Sequence, residues 1–370
     1  MELLQDLGHG YQSAFGAEDV SSPAMKRSIL RWLQLYYGQG EPGTDPCQQL
    51  PYTIVRKLTR AVFAEYAPSE NLLQLPAREA VELALIAGES YLKPVPGEPF
   101  RWRTVSRGNI LVFGRDLWGE PRDVGMVEKR LLGRQYYTLL ERRTLDDAGM
   151  LTVTNRLFRS GSRSQLGREV SLKSCPCYAR LPSRYTYPQS LGGVGLVRLK
   201  MPMSNCIDGS REGVSIYAPA VSLLEAIGEN EEQLRREFRN GRSRLVVSRD
   251  MLTAGQLKED VFVALDESPD TVGITVFAPQ LREQAYLNRQ QAYLRSLENI
   301  IGLKRGLLSE VEAVDRTATE ITSSEGEYMT TITELRRVWD AAAENALRLE
   351  AALSGQQPQP GQIQWGDGVV

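Results

Sequence analysis

The sequence predicts an α+β protein, on three observations. Apolar residues recur at helical spacing before residue 100 and again after Pro279. Short runs of β-forming residues, divided by Gly, Asp and Ser turns, fill Phe100 to about Leu199. A second, smaller β-type stretch over 241–279 lies between two amphipathic helical segments. With 370 residues, 42% apolar and 24% charged, the chain is long enough for a substantial core and lacks the bias of disordered or fibrous proteins.

Ser22-Pro23 has the chemistry of a helix entry, and Ile29, Leu30, Leu33, Tyr36 and Tyr37 follow at helical spacing up to Gly38. After a Gly/Pro-rich break, Ile54, Leu58, Ala61 and Val62 repeat the pattern, as do Ala80, Val81, Ala84 and Leu85. Asn109–Phe113, Gln135–Glu141, Leu151–Phe158 and Val194–Leu199 read as strands, and Arg159–Arg168 as a solvated hairpin loop, with phosphate contact by its basic Ser/Gly residues as the less favoured reading.

Ile216, Ala220, Leu223, Leu224, Ile227, Leu234 and Phe238 form one apolar face, opposed by Glu225, Glu229, Glu231, Glu232, Arg235 and Arg239, up to the stop at Asn240-Gly241. Arg244–Val247, Asp260–Leu265 and Val272–Phe277 then read as strands. Leu287, Leu294, Leu297, Ile300 and Ile301 restore the helical period until Gly302. A connector leads to a last long helix from about Asp315 to Leu353, with Met329, Ile332, Leu335, Val338 and Trp339 apolar. The Gln/Pro-rich stretch after it reads as a flexible linker.

Composition narrows the chemistry. Lys and Arg total 44 against 46 Asp and Glu, a net of −2, so any contact with DNA should be loose. The one histidine, His9, removes the His-based triads and metal clusters. Cys47, Cys175, Cys177 and Cys206 read as reduced thiols, because Cys175-Pro-Cys177 is too close-spaced for a CxxC pair. No apolar run reaches the ~18 residues of a membrane span, and the N-terminus lacks signal-peptide order, so assembly in the cytoplasm is expected. A GxxxxGK[ST] phosphate loop is absent. Gly193-Val194-Gly195 has Arg198 where a dinucleotide fingerprint needs its third glycine. No catalytic, metal or cofactor constellation emerges, and no enzyme activity is expected.

Several stretches, in order, resemble the portal proteins of tailed bacteriophages, the head-to-tail connectors, in the branch common in siphophages of Gram-positive hosts. They are Ala87-Gly88-Glu89-Ser90-Tyr91-Leu92-Lys93, Met201-Pro202-Met203-Ser204-Asn205, Gly213-Val214-Ser215-Ile216-Tyr217-Ala218, Glu237-Phe238-Arg239-Asn240-Gly241, Leu294-Arg295-Ser296-Leu297-Glu298-Asn299-Ile300-Ile301-Gly302-Leu303 and Thr317-Ala318-Thr319-Glu320-Ile321.

The resemblance implies a ring of about twelve subunits around a DNA channel. It divides the chain into an N-terminal wing (1–215), a first stem helix (216–240), a β-containing clip (241–279), a second stem helix (280–301), a tunnel loop (302–314), a long wing helix (315–353) and a linker (354–370). The helical crown that usually follows in the family is not expected. The implied setting is the portal vertex of the virion. The implied partners are double-stranded DNA without sequence preference, terminase, head-completion or adaptor proteins and the major capsid protein, with no membrane. Lys304, Arg305, Glu229, Glu231 and Glu232 become channel or DNA-contact candidates, and Arg235, Arg236 and Arg239 subunit-interface candidates. A head-tail adaptor or other virion structural protein is the alternative, and a carboxylate-based metal nuclease is a third.

Overall fold

The computed structural model describes residues 12, 14–38, 47–95, 100–241, 244–248, 262–265, 274–277, 280–310 and 318–366. Helix and strand are mixed, 42% and 23%, as an α+β fold requires.

Helix α1, Pro23–Tyr37, starts where Ser22 Oγ accepts from the Met25 amide and Pro23 takes the first helical position. Its bulkiest side chain, Trp32, sets the inward face together with Met25, Ile29 and Leu35. The expected stripe is therefore rotated: Leu30 and Leu33 are half-buried and Tyr37 is exposed. Helix α2, Leu50–Val62, buries Ile54, Leu58 and Val62 as its spacing predicts, with Val55 in addition and Ala61 only half-buried. The short strand β1, Ala67–Pro68, leads to helix α3, Ala77–Ala87, which buries Ala80, Val81, Ala84 and Leu85 and ends at Gly88 with φ +81°.

Two antiparallel sheets follow from β2 (Glu89–Val95), β3 (Arg101–Ser106), β4 (Ile110–Arg115), β5 (Pro121–Leu132), β6 (Gln135–Leu145), β7 (Leu151–Ser160), β8 (Arg168–Val170), β9 (Arg184–Thr186) and β10 (Val197–Lys200). The first has the order β10-β2-β3 and lies in the main core. The second runs β4-β5-β6-β7-β8, with β9 pairing a separate part of β7. All of their pairings are antiparallel, so hairpins suffice to connect β4 to β8.

Helix α4 covers Val221–Asn240. The first stem segment was expected from 216, but Ile216 is held outside the helix because its amide donates to Leu85 O at 3.0 Å. A 3-10 turn over Ala218–Ala220 then carries the chain into α4. Strands β11 (Arg244–Ser248), β12 (Phe262–Leu265) and β13 (Ile274–Phe277) fall on the three expected runs, with β11 central, parallel to β12 and antiparallel to β13. The remainder of the expected clip lies outside the described residues.

Helix α5, Glu283–Ile301, stops at Gly302, whose φ of +74° provides the left-handed C-terminal turn. Helix α6, Ala318–Ser354, buries Ile332, Leu335 and Trp339 against the N-terminal helices. Residues 311–317 lie outside the described set.

The 354–370 segment, expected as a linker throughout, re-enters the fold. Strand β14, Ile363–Gln364, pairs with β1, and Trp365 donates to Asp340 Oδ1 at 3.1 Å while stacking beside Tyr66 and under Arg336. Aromatic contact and a ladder of two residues recover what the preceding Gln/Pro stretch cannot. Residues 367–370 lie outside the described set.

Candidate functional site

Two of the stretches that carry the resemblance meet where α3 ends. A Cβ on Gly88 would strike the Gly213 carbonyl, and one on Gly213 would strike Gly88, so the two backbones touch only because both residues are glycine. Around that contact lies a buried ionic hub. Glu89 accepts from Arg198, from the Gly213 amide at 2.7 Å and from the Tyr91 hydroxyl at 2.7 Å. Arg107, also buried, donates to Ile110 O, Ser21 Oγ and Glu212 Oε2 at 2.6, 2.8 and 3.1 Å.

Burial alone would raise the Glu89 pKa. The Arg198 guanidinium overrides it, with Arg107 and the Gly213 amide assisting, and holds the carboxyl at about 2. Ser215 Oγ donates to Leu85 O at 3.0 Å. The hub thus fixes the chain one turn before α4 and sets where that helix leaves the body.

From there α4 and α5 run antiparallel. Asn230, 2% exposed, donates to Tyr286 O at 3.1 Å and accepts from Arg289 Nε at 2.6 Å. Farther out, Arg282 grips Glu237 through two parallel bonds of 3.0 and 2.8 Å. Leu224, Ile227, Leu294, Leu297 and Ile301 fill the root of the pair. The expected apolar faces do not stay buried along their whole length: Phe238 is 45% exposed, Leu287 43% and Ile300 45%. One partner helix covers a single stripe, and these three lie off it.

The acidic and basic candidates fall on α4 in a definite pattern. Glu229, Glu232, Arg236 and Arg239 follow one another at spacings of three and four, so they share a stripe. Glu231 and Arg235 make the neighbouring one. Arg235 pairs with Glu231 at 2.9 Å, and Arg236 with Glu232. Acids stand toward the N-terminal half and arginines toward the C-terminal end, the polarity that the helix dipole favours. Glu229 and Arg239 are exposed.

Lys304 and Arg305 lie at the other end of the pair. The C-terminal part of α5 packs on the turn that precedes α4, so Arg239 stands about 27 Å along the helix from that root. The structure does not bring the two candidate groups together.

The loop that carries Lys304 and Arg305 is clasped by a residue that sequence reasoning did not select. Glu298, 1% exposed, accepts the amides of Gly306, Leu308 and Ser309 at 3.0, 2.5 and 3.0 Å on Oε1, and the Ser309 hydroxyl at 2.7 Å on Oε2. Its signal in the sequence is an isolated acid amid Leu297, Ile300 and Ile301, just before a helix-ending glycine. Lys304 pairs with Glu325 of α6 at 2.9 Å, and Arg305 is exposed. Residues 311–314 of the expected loop lie outside the described set.

Other sequence features resolve locally. Gly193-Val194-Gly195 leads into strand β10, not into a helix, and Arg198 belongs to the Glu89 hub, so a dinucleotide fingerprint is not formed. All four cysteines are free, Cys47 and Cys175 buried. Among the described residues no three His, Cys, Asp or Glu side chains are grouped to hold a metal ion, and no helix is long and apolar enough to cross a membrane. Comparison with models of known protein families and with curated proteins finds no match.

Proposed function

We propose that this chain is a portal-type subunit that assembles into a ring and provides a channel for double-stranded DNA entering and leaving a capsid. One observation carries the reading: an antiparallel helix pair holds a small β insert at its far end and a clasped basic loop at its root, and is sewn to an α+β body by the same stretches that resemble the family. The charge pattern supports it. A channel through which DNA slides tolerates few strong phosphate contacts, and α4 neutralises Arg235 and Arg236 with carboxylates one turn away.

In this reading Glu229, Glu231 and Glu232 flank the channel. Arg235, Arg236 and Arg239 reach the neighbouring subunit, each guanidinium having more N–H groups than one carboxylate uses. Lys304 and Arg305 make transient phosphate contacts from a loop held in shape by Glu298. The β insert and the body dock head-completion proteins and capsid protein. Packaging energy comes from a separate terminase, and the chain works without enzyme activity or cofactor of its own.

Native mass spectrometry of the purified protein, with end-on negative-stain images, tests this. The expected result is a closed ring of about twelve subunits, on the order of 0.5 MDa. A monomer that stays monomeric with capsid and scaffold proteins present would overturn it.

A further inference from the structure

The basic loop in the body belongs to a larger feature. In register across the second sheet, Arg130 of β5 stands opposite Tyr137 of β6, Tyr137 opposite Arg159 of β7, and Arg159 opposite Arg168 of β8. Residues paired in antiparallel strands share a face, so three arginines and a tyrosine form one row across four strands spaced ~4.8 Å apart. The next row on that face, Glu128, Leu139, Leu157 and Val170, is covered by a strap that buries Cys175 and Tyr178 against Leu139 and Leu157. This strap carries Lys173 and Arg180, both exposed.

Within 156–184 seven residues are basic and one, Glu169, is acidic, on a chain whose net charge is −2. Glu169 pairs with Arg156, and its cross-strand partner is Phe158, on the opposite face from the arginine row. Glu128 compensates Arg130 at 2.6 Å. Among the described residues Arg159, Arg163, Arg168, Lys173 and Arg180 have no carboxylate partner. Arg159 directly opposite Arg168 is a like-charge pair, which costs a sheet stability. The fold nevertheless enforces it: Gly167, at φ +78°, lets the chain turn against the Arg159 backbone and places Arg168 there. Lys129 ties the intervening loop down through Arg163 O, and Ser160 Oγ accepts from the Ser162 amide at 3.0 Å.

We infer that this face, Arg159, Arg168, Lys173 and Arg180, binds the phosphodiester backbone of nucleic acid without reading bases. Charge complementarity identifies the partner, and the composition of the face selects phosphate over an acidic protein surface. A protein interface needs an apolar centre, whereas the exposed apolar side chains near the row are single ones, Leu132 at the hairpin end of β5 and Leu181 beside Arg180, and Leu131 lies in register with Tyr136 and Ser160 on the other side of the sheet. Guanidinium forks, a lysine and serine hydroxyls are the donors that phosphate oxygens take. Among the described residues no helix stands at this face to enter a groove, and the row lies flat across the strands, so sequence is not read. The inference concerns one face of one subunit and holds whether or not a ring forms.

The test is fluorescence anisotropy of the full-length protein with two unrelated duplexes of about 30 base pairs, between 50 and 200 mM salt. Equal affinity for both is expected. The variant Arg159→Gln/Arg168→Gln/Lys173→Gln/Arg180→Gln should lower the slope of log affinity on log salt by about 0.9 for each phosphate no longer neutralised, with affinity down on the order of a hundredfold at low salt. Arg159→Lys/Arg168→Lys should keep the slope. Because Arg168, Lys173 and Arg180 are exposed, and the half-buried Arg159 repels Arg168, the quadruple variant should melt no lower than the parent. An unchanged slope overturns the inference, as does loss of binding only in Lys304→Gln/Arg305→Gln. Poly-glutamate of matched charge binding as well as DNA, and failing to bind the same quadruple variant, would overturn the assignment to phosphate.

Discussion

The body and the helix pair are stabilised by opposite means. In the body, charges are buried and locked: Glu89, Arg107 and Glu141 are each no more than 5% exposed, and each meets an opposite charge. Along α4 and the outer part of α5, charges stand at the surface, paired one turn apart on α4 or across the pair as Arg282 and Glu237 are, and large apolar side chains such as Phe238 and Leu287 stay uncovered. A buried ion pair tolerates no loss of a partner, whereas an exposed i,i+4 pair is worth a few tenths of a kcal/mol. The difference teaches that the body holds its charges in the interior, although it too leaves Leu117 and Trp118 uncovered, whereas the outer helix pair keeps both its charges and part of its apolar stripe at the surface, which the proposed ring would cover.

The strongest way to break this comparison is Glu89→Ala. It removes the buried carboxylate that Arg198 and Arg107 share and leaves them only Glu120 and Glu212, so urea or thermal unfolding should show a loss of about 3 kcal/mol. Acid makes the same point without mutation. Burial opposes ionisation of both Glu89 and Glu141. The guanidinium of Arg198 in one case, and Arg143 with Lys93 in the other, nevertheless lowers each carboxyl from its ordinary 4.5 to about 2. Because the folded values are the lower ones, this stabilisation is whole above about pH 4.5 and drains away as pH falls toward 2, at about 1.4 kcal/mol per pH unit for each group. A flat acid limb in wild-type denaturation curves would show that the hub is not ionised as described.

Glu298→Ala should have a smaller and more local effect. Three amides and a hydroxyl lose one acceptor, a cost of about 1–3 kcal/mol, and the loop that carries Lys304 and Arg305 is freed. Trypsin should then cut after Lys304 or Arg305 faster than in the wild type, while Glu298→Gln, which keeps an acceptor oxygen, restores most of the protection. Equal cleavage in all three proteins would show that the loop is held by something else.

How much of this was legible in the sequence depended on whether a feature is local. Ser22-Pro23 and Gly302 mark helix ends because capping and left-handed turns are set within a few residues, and strands β6 and β7 follow from their own alternation. Strands β2, β3 and β5 were not singled out. β2 opens with the buried polar pair Glu89-Ser90, whose partners are Arg198 and the Ala80 carbonyl, and β5 interrupts its apolar residues with Arg122, Asp123, Glu128, Lys129 and Arg130. The α4 candidates were visible as charges, but their pairing one turn away needed the helix itself. The arginine row was only half visible: its loop is basic in sequence, yet Arg130 joins Arg159 and Arg168 through strand register alone. Trp365 gave no hint of its docking onto Asp340, because the Gln/Pro stretch before it carries no periodicity.

The smallest expected effect on stability is also the sharpest on assembly. Phe238, 45% exposed near the end of α4, is only partly covered, so Phe238→Ser should change the unfolding free energy of the isolated subunit by no more than about 1 kcal/mol. If the outer helix pair is covered by a neighbouring copy, the same change removes apolar area from every subunit contact in the ring at once, and the cost multiplies with the number of interfaces. Sedimentation velocity should then show smaller species at concentrations where the wild type stays closed, with the melting curve of the subunit little moved. A variant that keeps the ring intact would mean that Phe238 faces solvent or another partner in the assembly, and would shift the subunit contact to the charged stripe of Glu229, Glu232, Arg236 and Arg239.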